Sequence, residues 1–151
     1  LNGVPHFCIS VSLILDNEIV AGVIYDPIKD EIFYAEKTGG TYLNNKSVRV
    51  SKKKELKNCI YAANFKENLP KDPIYRNTGS AALDLAYVAS GRFDASIHQR
   101  VKLWDVAAGI ILIKEAGGLV DEIQLSKFKN ISIKASNELI SRDFNKKFSM
   151  F

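Results

Sequence analysis

The 151-residue chain has only two cysteines, two histidines, one methionine and one tryptophan, and these scarcities narrow what it can be. His6 and His98 pair with no Cys or Asp at the spacing of a zinc site. No apolar run reaches the roughly 18 residues of a membrane span. Leu1 to Leu15 is apolar-rich but is broken by Asn2, Gly3, Pro5 and His6. It has no basic start or small-residue cleavage site, so it does not read as a signal peptide. Charge of one sign is also lacking, with 21 basic against 17 acidic residues. The one basic run, Lys52-Lys53-Lys54 with Lys57 beside it, reads as a solvated loop, so nucleic acid is not an expected partner. A Gly-rich phosphate loop and a Ser-His-Asp order are both missing. Internal repeats and low-complexity linkers are missing too. Cys8 and Cys59 sit in strand-like apolar contexts and read as buried thiols of a cytoplasmic protein, although spacing alone leaves a disulfide open.

What is present is a chain long enough to bury a core, with 46% apolar and 25% charged residues. Its first third alternates in period two between closely spaced turn residues. Strands are expected at Ile9–Leu15, Ile19–Tyr25, Glu31–Glu36, Thr41–Leu43 and Ser47–Val50, an antiparallel meander. From Cys59 the pattern becomes mixed. Short strands are expected at Cys59–Ala63, Phe93–Ile97, Leu119–Asp121 and Ile131–Ala135. Helices are expected at Ser80–Ser90, Asp105–Ala116 and Asn137–Phe148, with a proline-bearing loop over Phe65–Tyr75. The fold class expected is therefore layered α/β (α+β), an antiparallel meander over residues 1–58 and a mixed α/β half over residues 59–151 of one domain.

The most informative stretch is Leu103-Trp104-Asp105-Val106-Ala107-Ala108-Gly109, followed by Glu115-Ala116-Gly117-Gly118. It sets one carboxylate at the start of an almost wholly apolar helix that ends at a glycine pair. Taken alone, Asp105 has two compatible roles. It can cap the helix, and it can offer a hard oxygen to Mg²⁺. Ala107, Ala108 and Gly109 keep the helix thin, for a second backbone or a substrate to approach. Glu115 lies near three turns on, some 15 Å away, and so cannot share a cation with Asp105. Upstream, Gly79-Ser80-Ala81 opens another helix, whose free N–H groups can cap it or hold an anion or hydroxyl. His98 reads either as a strand-end histidine or as a ligand-facing one.

These motifs resemble the C-terminal block of the inositol monophosphatase family, in particular its bacterial SuhB-type branch. Gly22 to Asn44 is similar to that family's hairpin region. The resemblance implies an αβαβα sandwich and Mg²⁺-dependent hydrolysis of a phosphate monoester, an inositol phosphate first among candidates. It makes Asp105 a metal ligand and Gly79, Ser80 and Ala81 a rim for substrate hydroxyls. His98 stands where inositol-specific members carry a Glu that binds a ring hydroxyl. No residue is identified as a catalytic acid or base. The family's Glu-Glu and Asp-Pro-x-Asp-Gly-Thr metal motifs do not occur. Leu1-Asn2-Gly3-Val4-Pro5 is similar to the text just after them. The expectation is a truncated chain that is inactive alone and is completed by an N-terminal segment, with homodimerisation implied by analogy. The alternatives are a non-catalytic split-gene remnant or interaction protein, and a sugar or nucleotide phosphatase of the same superfamily.

Overall fold

Turn chemistry builds the first sheet. Asp16 and Asn17 both have positive φ (48° and 61°), as do Asn44 and Asn45 (46° and 64°). That is the backbone of a two-residue hairpin whose twist matches its strands. The computed structural model describes residues 3–65, 73–125 and 129–149. In it β1 (Ile9–Leu15), β2 (Glu18–Asp26), β3 (Glu31–Glu36), β4 (Gly40–Leu43) and β5 (Lys46–Val48) pair in sequence order as an antiparallel meander.

The second sheet is mixed, in the order β7-β6-β8-β10-β9. Its strands are β6 (Ile60–Ala63), β7 (Ile74–Arg76), β8 (Ala95–Val101), β9 (Gly118–Val120) and β10 (Ile131–Asn137). Strand β6 runs parallel to both β7 and β8. Helices α1 (Ala81–Ala89) and α2 (Leu103–Glu115) lie between the sheets, and α3 (Ser141–Lys147) packs on the far side of the second. The described layers are thus sheet, helix pair, sheet, helix, an α/β sandwich. One apolar cluster fills the space around α1 and α2. A second, with Tyr61, Phe144 and Phe148, lies under α3.

Several boundaries differ from those the sequence predicts, chiefly where a neighbouring strand defines the element. Residues 66–72 of the expected loop lie outside the described residues, but its end is strand, Ile74–Arg76 pairing with β6. Strand β8 runs on to Val101 through a bulge, in which Gln99 and Arg100 oppose Ser132 alone. Helix α2 begins at Leu103, not Asp105, and α3 begins only at Ser141.

The outer face of β1 is apolar and open. Ile9, Val11, Leu13 and Leu15 are 50–59% exposed, and among the described residues β1 pairs on one side only. A bare edge beside an apolar stripe promotes association. The isolated chain is expected to bind an apolar dye and to self-associate in sedimentation. The pair Val11→Lys and Leu13→Lys should reduce both; a dye-silent monomer before mutation would show that this face is not sticky.

Candidate active site

Two helix starts converge on one cleft of about 680 Å³, bordered by Gly79, Ser80 and Ala81 of α1, Asp105 of α2 and His98 of β8. The structure therefore brings Gly79, Ser80, Ala81, His98 and Asp105, the candidate site residues of the sequence, to one place. Helix α1 begins there because Ser80 caps it, its Oγ accepting the Leu83 N–H at 3.3 Å. Gly79 precedes it at φ +94°, a conformation L side chains rarely adopt, with no atom within 4 Å of a would-be Cβ. That leaves the free N–H groups of the first turn open to the cleft.

Asp105 is the third residue of α2, not its cap. Its Oδ2 reaches back to accept the Lys102 N–H at 2.9 Å, and its own N–H donates to the Lys102 carbonyl at 3.0 Å. Its other oxygen has no hydrogen-bond partner among the described residues. One oxygen therefore holds the helix start from inside the first turn, in place of the capping bond expected of it, and the other is left uncommitted. The positive ends of two helices face the same space, which favours an anion there. Cys8, 3.7 Å from Ser80 Oγ, also borders the cleft. Burial, then the nearby carboxylates Asp26 and Asp105, push its thiol pKa up despite the Ser80 contact, so it is no ready nucleophile.

Asp84 was not singled out in the sequence. It stands on α1 one turn past the Ser80 cap, 1% exposed. Its Oδ1 accepts the Thr78 hydroxyl at 2.6 Å, and its Oδ2 lies 3.4 Å from His98 Nε2. The available signal was an acidic residue inside the apolar helix run Ala-Ala-Leu-Asp-Leu-Ala. His98 is equally buried, and neither ring nitrogen has a hydrogen-bond partner among the described residues. Burial pushes the Asp84 carboxyl up to about 7, against a smaller lowering from Thr78, and pushes His98 down to about 4. His6 also reaches the cleft, its Nε2 buried and without a hydrogen-bond partner among the described residues.

As a cation site the cleft is partial. Mg²⁺ takes one or two protein carboxylates alongside waters and phosphate oxygens, and the half-committed Asp105 fits as one of these. Among the described residues no group of three or more His, Cys, Asp or Glu side chains is placed to hold a metal ion. Glu115 does not contribute. Its carboxylate accepts the N–H groups of Thr38 (2.9 Å) and Gly40 (3.0 Å), tying the end of α2 to the β3–β4 turn. No helix among the described residues is long and apolar enough to cross a membrane.

Residues 1–148 match the inositol monophosphatase family. Among similar proteins, Nus factor SuhB of Xylella fastidiosa is 39% identical over 135 residues, 80% of this chain and 49% of its own. Inositol-1-monophosphatase of Rhizobium meliloti is 40% identical over 133 residues, 78% of this chain and 50% of its own. Among solved structures, the extragenic suppressor protein SuhB of Bartonella henselae superposes with a TM-score of 0.85 at 38% identity, covering 95% of this chain and 61% of its own. The chain spans about half the length of the curated relatives it matches.

Proposed function

The chain belongs to the inositol monophosphatase family, and on that premise we propose that it forms the substrate-side half of a Mg²⁺-dependent phosphate monoester hydrolase. The observation that carries this reading is the convergence of two helix N-termini on a cleft with one half-committed carboxylate, Asp105. The first-turn N–H groups of α1, opened by Gly79, hold the anion or hydroxyls of the substrate. Ser80 and Ala81 form the rim, and His98 lies on the floor. Asp105 is one ligand of the cation, kept in place by its bond to the Lys102 N–H. When bound, Mg²⁺ neutralises phosphate charge and lowers the pKa of its water. An inositol phosphate is the first substrate to try, with sugar and nucleotide monophosphates beside it.

Because the described residues bring no full ligand set together, the chain by itself is inactive in this reading. It is completed by carboxylates from a preceding segment or a partner. Its two free cysteines suit a reducing cytoplasm. The test is phosphate release from inositol-1-phosphate in millimolar Mg²⁺. The chain alone should match a protein-free control. A fusion to the N-terminal half of the Rhizobium meliloti relative should turn over, and Asp105→Asn in that fusion should cost at least tenfold, on the scale of lost metal-site interactions. Turnover by the chain alone, or a fusion indifferent to Asp105→Asn, overturns the assignment.

A second reading is a binding protein without catalysis. The open apolar face of β1 favours it, as does the name Nus factor borne by one relative. An inactive fusion that nevertheless assembles stably would support it.

A further inference from the structure

The most unusual chemistry in the molecule is the buried pair Asp84 and His98, because an imidazole with both nitrogens unpaired in a dry site is costly to leave so. We propose that Asp84 is the positioning residue for His98: its carboxyl group decides which imidazole nitrogen carries the proton, and so whether the cleft floor offers a ligand a hydrogen-bond donor or an acceptor. The proposal rests on the reading of this cleft as the substrate site.

The geometry leaves few alternatives. Asp84 Oδ1 is already taken by the Thr78 hydroxyl, so Oδ2 is the atom that faces Nε2, at 3.4 Å. A movement of roughly 0.3 Å brings the two within ordinary N···O hydrogen-bond range. When Asp84 is protonated, its Oδ2–H donates to Nε2, and the single imidazole proton sits on Nδ1. When Asp84 gives its proton to solvent, Oδ2 becomes an acceptor. The imidazole proton then moves by exchange to Nε2, and Nδ1 is left as a bare lone pair. One proton is lost and the ring stays neutral throughout. The charged alternative, carboxylate beside imidazolium, has the same proton count as the neutral pair. It would bury two ions and leave an Nδ1–H⁺ without a partner, which the low-dielectric site disfavours.

The neighbours leave this decision to the pair. Opposite His98, β10 presents Ile133, and β6 presents Ala62 and then Asn64, all uncharged. On α1, Tyr87 turns away to Phe33 and Phe93. Arg100, further along β8, is exposed, and Lys134 of β10 reaches the Phe148 carbonyl. The remaining titratable groups on the cleft are His6 and Cys8 ahead of β1 and Asp105 on α2. A hydroxyl can satisfy His98 in either form, whereas a phosphate or carboxylate oxygen satisfies only the donor form. A polyol hydroxyl that reaches Nδ1 would therefore be accepted in either form, and a second anion only when Asp84 is protonated.

The chain has only two histidines, so long-range ¹H–¹⁵N spectra of the labelled full chain resolve both, with His6 as the internal reference. From pH 5 to 9, His98 should pass from the Nδ1-protonated to the Nε2-protonated tautomer, with a midpoint near 7. In Asp84→Asn the amide N–H replaces the acid O–H as donor, and the transition should vanish, with Nδ1–H kept throughout. Thr78→Val, which removes the hydrogen bond that favours the carboxylate, should move the midpoint up. A single tautomer across the range, an imidazolium signal at neutral pH, or an unchanged transition in both variants overturns the proposal. The measurement uses neither metal nor substrate, so failure of the hydrolase reading leaves this result legible.

Discussion

Gly109→Ala should destabilise the chain by about 2 kcal/mol, against the usual preference for alanine in a helix. A Cβ at Gly109 would lie 2.4 Å from Leu85 Cβ and 2.6 Å from Leu85 Cδ1. Leu85 is fully buried on α1 and its Cβ cannot swing aside. Replacing glycine by alanine inside a helix gains about 1 kcal/mol. Overpacking a close contact costs roughly 1–3 kcal/mol, and more when the obstructing atom is held by the backbone. The clash therefore wins. Movement in the other direction is blocked as well, because Ala108 Cα stands 2.8 Å from where a Cβ on Gly22 of β2 would be. Helix α2 is thus held between a sheet and a helix by two glycines. For a chain of this size, about 2 kcal/mol corresponds to a fall in Tm of roughly 4–8 °C. Leu85→Gly alone, which removes the obstructing Cβ, should also destabilise, but the double variant should be more stable than the sum of the two costs, by about 1 kcal/mol or more. Calorimetry on the four proteins checks this. A neutral or stabilising Gly109→Ala would mean that the α1–α2 spacing is set elsewhere.

Removal of the Asp84 carboxyl should give the stability of the chain a pH dependence that the native pair conceals. Asp84 has a folded pKa of about 7, above its ordinary 3.8. As pH rises from about 4 to 7, the unfolded chain loses this proton while the folded chain keeps it, so the Asp84 contribution falls. His98 has a folded pKa of about 4, below its ordinary 6.5. Over the same range the unfolded histidine is charged and the folded one is not, so its contribution rises as pH rises. The two slopes cancel between about pH 4 and 6.5, because acid plus neutral ring holds as many protons as carboxylate plus imidazolium. In Asp84→Asn the rising histidine slope is left alone. Relative to wild type, its unfolding free energy should climb by about 3 kcal/mol from pH 4 to pH 6.5, at roughly 1.4 kcal/mol per pH unit. His98→Gln should show the reverse, a fall of similar size from about pH 4 to 6.5. Urea unfolding at four or five pH values measures both, and taking differences from wild type removes every other titrating group. Profiles parallel to wild type would mean that neither group is held far from its ordinary pKa in the folded chain.

Much of the fold was legible because its signals are local. The meander follows from period-two alternation and from Asp-Asn and Asn-Asn turns that tolerate positive φ. The apolar run of α2 and its glycine stop mark a buried helix with one carboxylate at its start. The misread elements are those defined by a partner. Ile74–Arg76 is only three residues long and is a strand because β6 lies beside it. The end of β8 bends through a bulge that appears only when β10 is in register with it. Leu103 and Trp104 belong to α2 because Asp105 caps from inside the helix, a reach-back that composition does not distinguish from capping at the boundary.

The candidate site divides in the same way. The sequence by itself determined the family, the order of the elements and the residue types at Gly79, Ser80, Ala81, His98 and Asp105, since these rest on motif spacing along the chain. Only the tertiary structure decided that the thinness of α2 at Ala108 and Gly109 serves packing against Gly22 and Leu85, where the sequence left helix packing and substrate approach equally open. Only it brought the Asp84 carboxyl to the His98 ring. Spacing along one helix or strand is local arithmetic, but the contact between a helix residue and a strand residue is set by how the layers stack. The protonation of that pair depends on the water those layers exclude, a quantity that no segment carries alone.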